Sequence, residues 1–110
     1  MALSVEAGRP VDCDRCATFA DGMAVRVAIP LAVEELRGVP MALVSERAIA
    51  RAVGDYAAAG IRVEGSGAAA LAAYRELEPE DGATVLIVTG RNIDDELHRR
   101  AVEDPDSFPD

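Results

Sequence analysis

No lysine occurs anywhere in the 110 residues, and all eleven basic residues are arginine. Chemistry that needs a lysine nitrogen to hold a cofactor or substrate covalently cannot be completed within this chain. Tryptophan is absent and only 4% of the residues are aromatic, while 50% are apolar. The core must therefore be built from Ala, Val, Leu and Ile, a composition suited to helices packed on a sheet and too apolar for a disordered segment. No apolar run approaches the roughly 18 residues that would span a bilayer. Residues Met1 to Glu6 lack a basic region ahead of an apolar core, so no export signal is read there and the expected location is the cytoplasm. The formal charge is −9, with arginines spread from Arg9 to Arg100 and no cluster able to follow a phosphate backbone. That balance argues against nucleic acid as a partner.

There is one histidine, His98, and there are two cysteines, Cys13 and Cys16, in a single Cys-x-x-Cys pair. Zinc needs roughly four ligands, and only the distant His98 remains to help, so no metal site is expected. A redox-active pair belongs at a helix amino terminus after a strand. Here Pro10, Asp12 and Asp14 suggest a loop with acidic neighbours, and the pair reads as two reduced loop cysteines.

The length fits one compact domain, able to bury roughly 65% of its unfolded surface. The stretch 1–22 is rich in Gly, Pro and Asp and reads as a connection ending in the turn signal Ala20-Asp21-Gly22. Pro30 opens a short helix through Leu36 that stops at Gly38, and Val39 to Val44 reads as a strand. Ser45 caps a helix whose first turn carries Glu46, whose apolar face is Ile49, Val53, Tyr56 and Ala57, and whose stop is Gly60. Ile61 to Val63 is short and extended, Gly65-Ser66-Gly67 a tight turn, and Ala68 to Leu77 an alanine-rich helix ending before Pro79. After a turn at Glu80-Asp81-Gly82, the run Ala83 to Val88 has the continuous apolar, β-branched character of a strand buried on both faces. A helix from Ile93 to about Val102 follows.

These elements predict an α/β fold, an open, mostly parallel sheet with flanking helices, forming a single α/β unit over 1–102. Residues 103–110 form an acidic, flexible tail. In such sheets ligands sit beyond the carboxyl ends of strands, where a glycine admits close backbone approach and the next helix offers its amino-terminal dipole. Thr89-Gly90-Arg91-Asn92 occupies that place; taken alone it is equally an ordinary turn capped by Asn92.

Three segments occur in order: Thr18 to Val25 (TFADGMAV), Val63 to Ala70 (VEGSGAAA) and Val88 to Asp94 (VTGRNID). Together with the strand and helix between them, they resemble the carboxyl-terminal third of threonine/serine dehydratases, fold-type II pyridoxal-phosphate enzymes of the tryptophan synthase beta-like family. The resemblance covers roughly residues 1 to 97 and implies a partial large domain of that fold. It further implies that Thr89 stands where the family bonds the pyridine nitrogen with a hydroxyl, and that Gly90 and Asn92 shape the same loop. Gly22 matches a glycine whose backbone lies flat against the cofactor ring, and Glu64 an acid at the edge of the site. Two positions depart from the pattern, Gly65 in place of the usual proline and Arg91 in place of a frequent second glycine. Arg91 either moves Thr89 away from the ring nitrogen or answers a different anionic group.

The family's cofactor-holding lysine, its phosphate loop and its acidic cation site lie upstream of the segments matched. Without a lysine the expectation is a chain inactive alone, with no catalytic residue of its own, that binds pyridoxal phosphate only when completed by a lysine-bearing partner. The partners implied are a lysine-bearing dehydratase half or a second copy of the chain. The alternative is a catalytically silent α/β partner-binding module, or a gene remnant that keeps its core.

Overall fold

The computed structural model describes residues 1–78 and 81–110, and the architecture they form is a layered set of helices. Helix α1 (Ala2–Ala7) ends at Gly8, whose φ of 63° closes it in the left-handed conformation that glycine adopts without strain. Helix α2 (Pro30–Glu35) begins at the proline, whose fixed φ suits a first helical position. Helix α3 (Glu46–Ala58) is the central element. Its amino terminus is capped by Ser45, whose side chain accepts the Ala48 N–H at 3.1 Å. Its carboxyl terminus closes where Gly60, at φ 75°, donates to Ala57 O and Ile61 donates to Tyr56 O.

Helix α4 (Gly65–Glu76) and helix α5 (Asp95–Glu103) both pack on α3. Small side chains make this close approach possible. Ala68 and Ala72 of α4 are buried with Ile49, Ala50, Ala52 and Val53 of α3, and Ala101 of α5 completes the layer with Gly54 facing the Val102 backbone. Val53 and Val63 are fully buried, and each contributes about 1.5–3 kcal/mol relative to exposure. The acidic tail carries the one large aromatic of this core. Phe108 follows a 3-10 turn (Pro105–Ser107), is buried, and packs on Phe19 with ring centroids 4.6 Å apart.

Among the described residues the open, mostly parallel sheet expected from the sequence is not present. Among the described residues the sole β pairing is an isolated antiparallel bridge between Asp12 and Val27, reinforced by Cys13 N–H donating to Arg26 O. The reason is the lack of partners. An extended run becomes a strand only when its N–H and C=O groups meet a neighbour. No backbone hydrogen bond among the described residues joins 40–44 or 83–89 to another segment through an N–H, and Leu43 (80%), Val85 (84%) and Ile87 (71%) are exposed. Val39 to Val44 and Ala83 to Val88, expected as strands, are therefore not strands: the apolar, β-branched pattern states what a segment can pair with, not that a partner is at hand.

Three smaller expectations are also corrected. Gly65-Ser66-Gly67 is the first turn of α4, not a separate tight turn, and the residue before α5 that caps it is Asp94, whose side chain accepts from Glu96 and Leu97 N–H at 3.0 Å each. The stretch 1–22 holds α1 and leads into a one-turn 3-10 helix (Asp21–Met23). Pro79 and Glu80 of the expected turn lie outside the described residues. Among the described residues no helix is long and apolar enough to cross a membrane.

Candidate functional site

Three segments far apart in sequence meet at the amino terminus of α4. Glu64 is its N-cap residue, in an extended conformation, and its N–H donates to Gly90 O at 3.1 Å. That single bond ties the loop 88–92 to α4. Behind it, Gly67 lies so close to Gly90 that a Cβ there would stand 2.9 Å from Gly90 O and 2.7 Å from Val63 Cγ2. Gly65 is equally confined, with Ala20 Cα and the Phe19 ring each 3.0 Å from its Cβ position. The Gly-Ser-Gly sequence is thus required by close approach on two sides, one glycine for each neighbouring segment.

The third segment is Thr18 to Met23. Phe19 N–H donates to Glu46 Oε2 at 2.9 Å, and Ala20 N–H to Thr18 Oγ1 at 3.0 Å, which holds the stretch on the first turn of α3. Gly22 then arrives beside α4. Its Cβ position is 2.8 Å from Ser66 Oγ and 3.8 Å from Glu64 Oε1, so the direction a side chain would take is filled, and its exposed side is bare backbone. At Gly90 the Cβ position is taken by the Glu64 carboxylate, with Cδ at 3.0 Å.

Of the five residues that the sequence singles out, Gly22, Glu64 and Gly90 are therefore brought together. Thr89 and Asn92 flank Gly90 along the chain with their side chains exposed, as is Arg91, and no hydrogen bond among the described residues joins them to Gly22 or Glu64. Three contributors were not anticipated. In the sequence Ser66 and Gly67 read only as turn residues, and Glu46 only as a first-turn acid. Ser66 Oγ is fully buried without a hydrogen-bond partner among the described residues. A signal was available in the doubled glycine, which marks backbone packed from both sides.

The donor set can do two things chemically. An exposed Thr89 hydroxyl is a neutral donor or acceptor for a ring heteroatom, and the bare Gly22 backbone is a surface on which a flat ring can lie. Glu64 adds a half-buried carboxylate beside them. These features fit the ring edge of an aromatic cofactor. Among the described residues no group of three or more His, Cys, Asp or Glu side chains is arranged to hold a metal ion. Cys13 and Cys16 are free thiols, half-buried, in the loop next to the Asp12–Val27 bridge.

The single histidine stands apart from this cluster on α5. Burial lowers the His98 pKa below its ordinary 6.5, the Arg62 guanidinium lowers it further, and Asp95 opposes both. Its Nε2 is buried without a partner among the described residues. The apolar grooves of the surface also lie elsewhere, one of about 320 Å3 between α1 and residues 39–43, another of about 460 Å3 beside Tyr74 and Leu77.

Comparison with known proteins identifies the chain at the level of family. Neither a curated protein nor a solved structure matches the chain. Residues 1–90, which contain the assembled Gly22, Glu64 and Gly90, match the family model described as pyridoxal-phosphate dependent enzyme. With most of its length so matched, the chain belongs to the pyridoxal-phosphate dependent enzyme family.

Proposed function

We propose that this chain supplies the pyridine-ring side of the cofactor site in a threonine/serine dehydratase-like ammonia-lyase, with the lysine contributed from outside these 110 residues. The observation that carries the reading is the convergence of Gly22, Glu64 and Gly90 from three separate segments onto one helix terminus. When bound, pyridoxal phosphate supplies an electron sink for deprotonation at a substrate α-carbon.

The chain's own residues have narrower tasks. Thr89 offers a hydroxyl to the ring nitrogen, and a neutral partner of that kind leaves the nitrogen without the proton a carboxylate would hold there. Gly22 presents backbone to the ring face, where any side chain would also collide with Ser66. Glu64 is oriented by its N–H bond to Gly90 O and keeps a carboxylate at the edge of the site. Nothing in this set replaces a lysine, so the chain by itself is inactive.

The test has two arms. Titration of the 110-residue chain with pyridoxal phosphate in the presence of a lysine-bearing dehydratase half, followed by amide chemical shifts of the 110-residue chain, is expected to move Gly22, Glu64, Thr89 and Gly90 together. Mixing with a lysine-bearing dehydratase half is expected to restore the cofactor absorbance band and 2-oxo acid formation from threonine. Shifts confined to other residues would defeat the assignment of the site. A stable mixture with neither band nor product would leave a catalytically silent partner-binding module or gene remnant, the reading that the exposed Arg91 beside Gly90 favours.

A further inference from the structure

The arm that carries Gly22, residues 18–23, is tied to the helical layer at one backbone point. Two of its hydrogen bonds are internal, Ala20 N–H to Thr18 Oγ1 and Met23 N–H to Ala20 O, the second closing the 3-10 turn that contains Gly22. Among the described residues the sole hydrogen bond joining this arm to a helix of the layer is Phe19 N–H to Glu46 Oε2, at 2.9 Å between positions 27 apart in sequence.

The end of α3 does not itself require that aim of the Glu46 carboxylate. Ser45 already caps the helix through Ala48 N–H. An acid in the first turn also favours the helix dipole whichever way its carboxylate points. Glu46 is half-buried and turned off its own helix toward Phe19, while the neighbouring Arg47 pairs with Asp110. Between Phe19 and Gly22 the arm has little freedom. The Phe19 ring packs on Phe108, Ala20 is fully buried, and the Cβ position of Gly65 stands 3.0 Å from Ala20 Cα and from the Phe19 ring. Beyond them, the Cβ direction of Gly22 meets Ser66 Oγ at 2.8 Å. A displacement of the Phe19 N–H is therefore passed to Gly22 through a buried alanine and a closed turn.

We propose that Glu46 is a positioning residue of the cofactor site, setting through the Phe19 N–H where the Gly22 backbone stands beside α4. The inference rests on the ring-edge reading given above. Glu46 acts through the arm, and what the arm needs from it is an acceptor oxygen at the full reach of its side chain. Glutamine keeps that oxygen and loses the charge, whereas aspartate keeps the charge at the helix end and withdraws the oxygen by one methylene.

Three variants of the 110-residue chain test it: Glu46→Gln, Glu46→Asp and Ser45→Ala, the last weakening the same helix end without touching Phe19. In the chain alone, Glu46→Asp is expected to move the amide shifts of Phe19 and Gly22, while Glu46→Gln and Ser45→Ala leave Gly22 near its parent position. In the mixture with a lysine-bearing dehydratase half, followed by the cofactor absorbance band, Glu46→Asp is expected to weaken pyridoxal phosphate about tenfold, the worth of one hydrogen bond to a charged group, with Glu46→Gln and Ser45→Ala within about threefold of the parent. A parent mixture without the band would overturn the ring-edge reading and the role of Glu46 with it. With the band present in the parent, any of three results would overturn Glu46 alone: an unmoved Gly22 shift in Glu46→Asp, parent-like affinity in Glu46→Asp, or losses as large in Glu46→Gln or Ser45→Ala, which would make the charge or the helix end responsible and not the bond.

Discussion

Glu64 holds Gly90 twice. Its N–H donates to the Gly90 carbonyl at 3.1 Å, and its carboxylate lies in the space that a Cβ on Gly90 would need. One residue thereby fixes the height of the loop 88–92 over helix α4 and forbids a side chain on it. Gly67 closes the same contact from behind, with Val63 and the Gly90 backbone as its walls.

The two glycines are expected to respond differently to alanine. At Gly67 the obstacles include Gly90 backbone atoms at 2.9 and 3.3 Å, which cannot move without breaking the Glu64–Gly90 bond. Overpacking of that kind costs about 1–3 kcal/mol, set against a gain of about 1 kcal/mol in helix propensity. At Gly90 the obstacle is the end of the Glu64 side chain, which can swing away. Urea unfolding should therefore show Gly67→Ala less stable than Gly90→Ala, and Glu64→Ala should relieve the second change and not the first. Equal losses for both variants would contradict this account.

The same contacts explain what the sequence did and did not disclose. Ser45, Glu46 and Gly60 announce α3 because capping and helix stops depend on residues within one turn. Pro30 announces α2 for the same reason. Residues 83–88 have a strand's pattern, but pairing depends on a neighbour that no local signal supplies, and among the described residues no parallel sheet is formed. Resemblance singles out Gly22, Glu64 and Gly90, which the fold brings together, and does not single out Ser66 and Gly67 beside them. Their importance lies in distances to Gly22 and Gly90, which exist only once three segments have met.

Phe108 is expected to anchor more than the tail. It is buried at 4% exposure, packs on Phe19 with the rings tilted 51° to each other, and lies 4.2 Å beneath the Arg100 guanidinium. Phe19 in turn precedes the Ala20–Gly22 stretch of the site. Phe108→Ala removes a ring from this cluster at a cost of about 3–5 kcal/mol, less whatever the chain end recovers by relaxing. Thermal unfolding should show the loss, and amide shifts at Gly22 should move although the two residues are far apart in sequence. A stability change below about 1 kcal/mol would show the aromatic contact to be dispensable.

Net charge sets a third expectation. With −9 and no lysine, the folded chain concentrates carboxylates that repel one another at low ionic strength. Its ion pairs, including Arg47 with Asp110, Arg51 with Asp106 and Arg62 with Asp95, are largely exposed and individually worth about 0–1 kcal/mol. Repulsion should outweigh them, and salt screens both within about 10 Å at 0.1 M. The melting temperature should rise as sodium chloride is added to a low-salt buffer. A fall would mean that the ion pairs, Arg47 foremost because it is the least exposed of these arginines, dominate.

His98 sets the direction of a pH dependence. Burial, reinforced by Arg62, lowers its folded pKa below the ordinary 6.5, so at intermediate pH the unfolded chain binds more protons than the folded one. Stability from this group is therefore complete above about pH 6.5 and falls as pH drops from there toward the lowered folded value, below which it changes no further. Asp95 limits the loss, because its carboxylate favours the imidazolium. His98→Phe removes the titrating group and fills the same space with a ring that needs no partner for Nε2. Unfolding midpoints of the parent and this variant, compared between pH 7.5 and pH 5, should differ in slope, the parent losing more stability on acidification. Parallel slopes would show that the carboxylates alone govern the acid limb, and a steeper fall in the variant would reverse the sign assigned to His98.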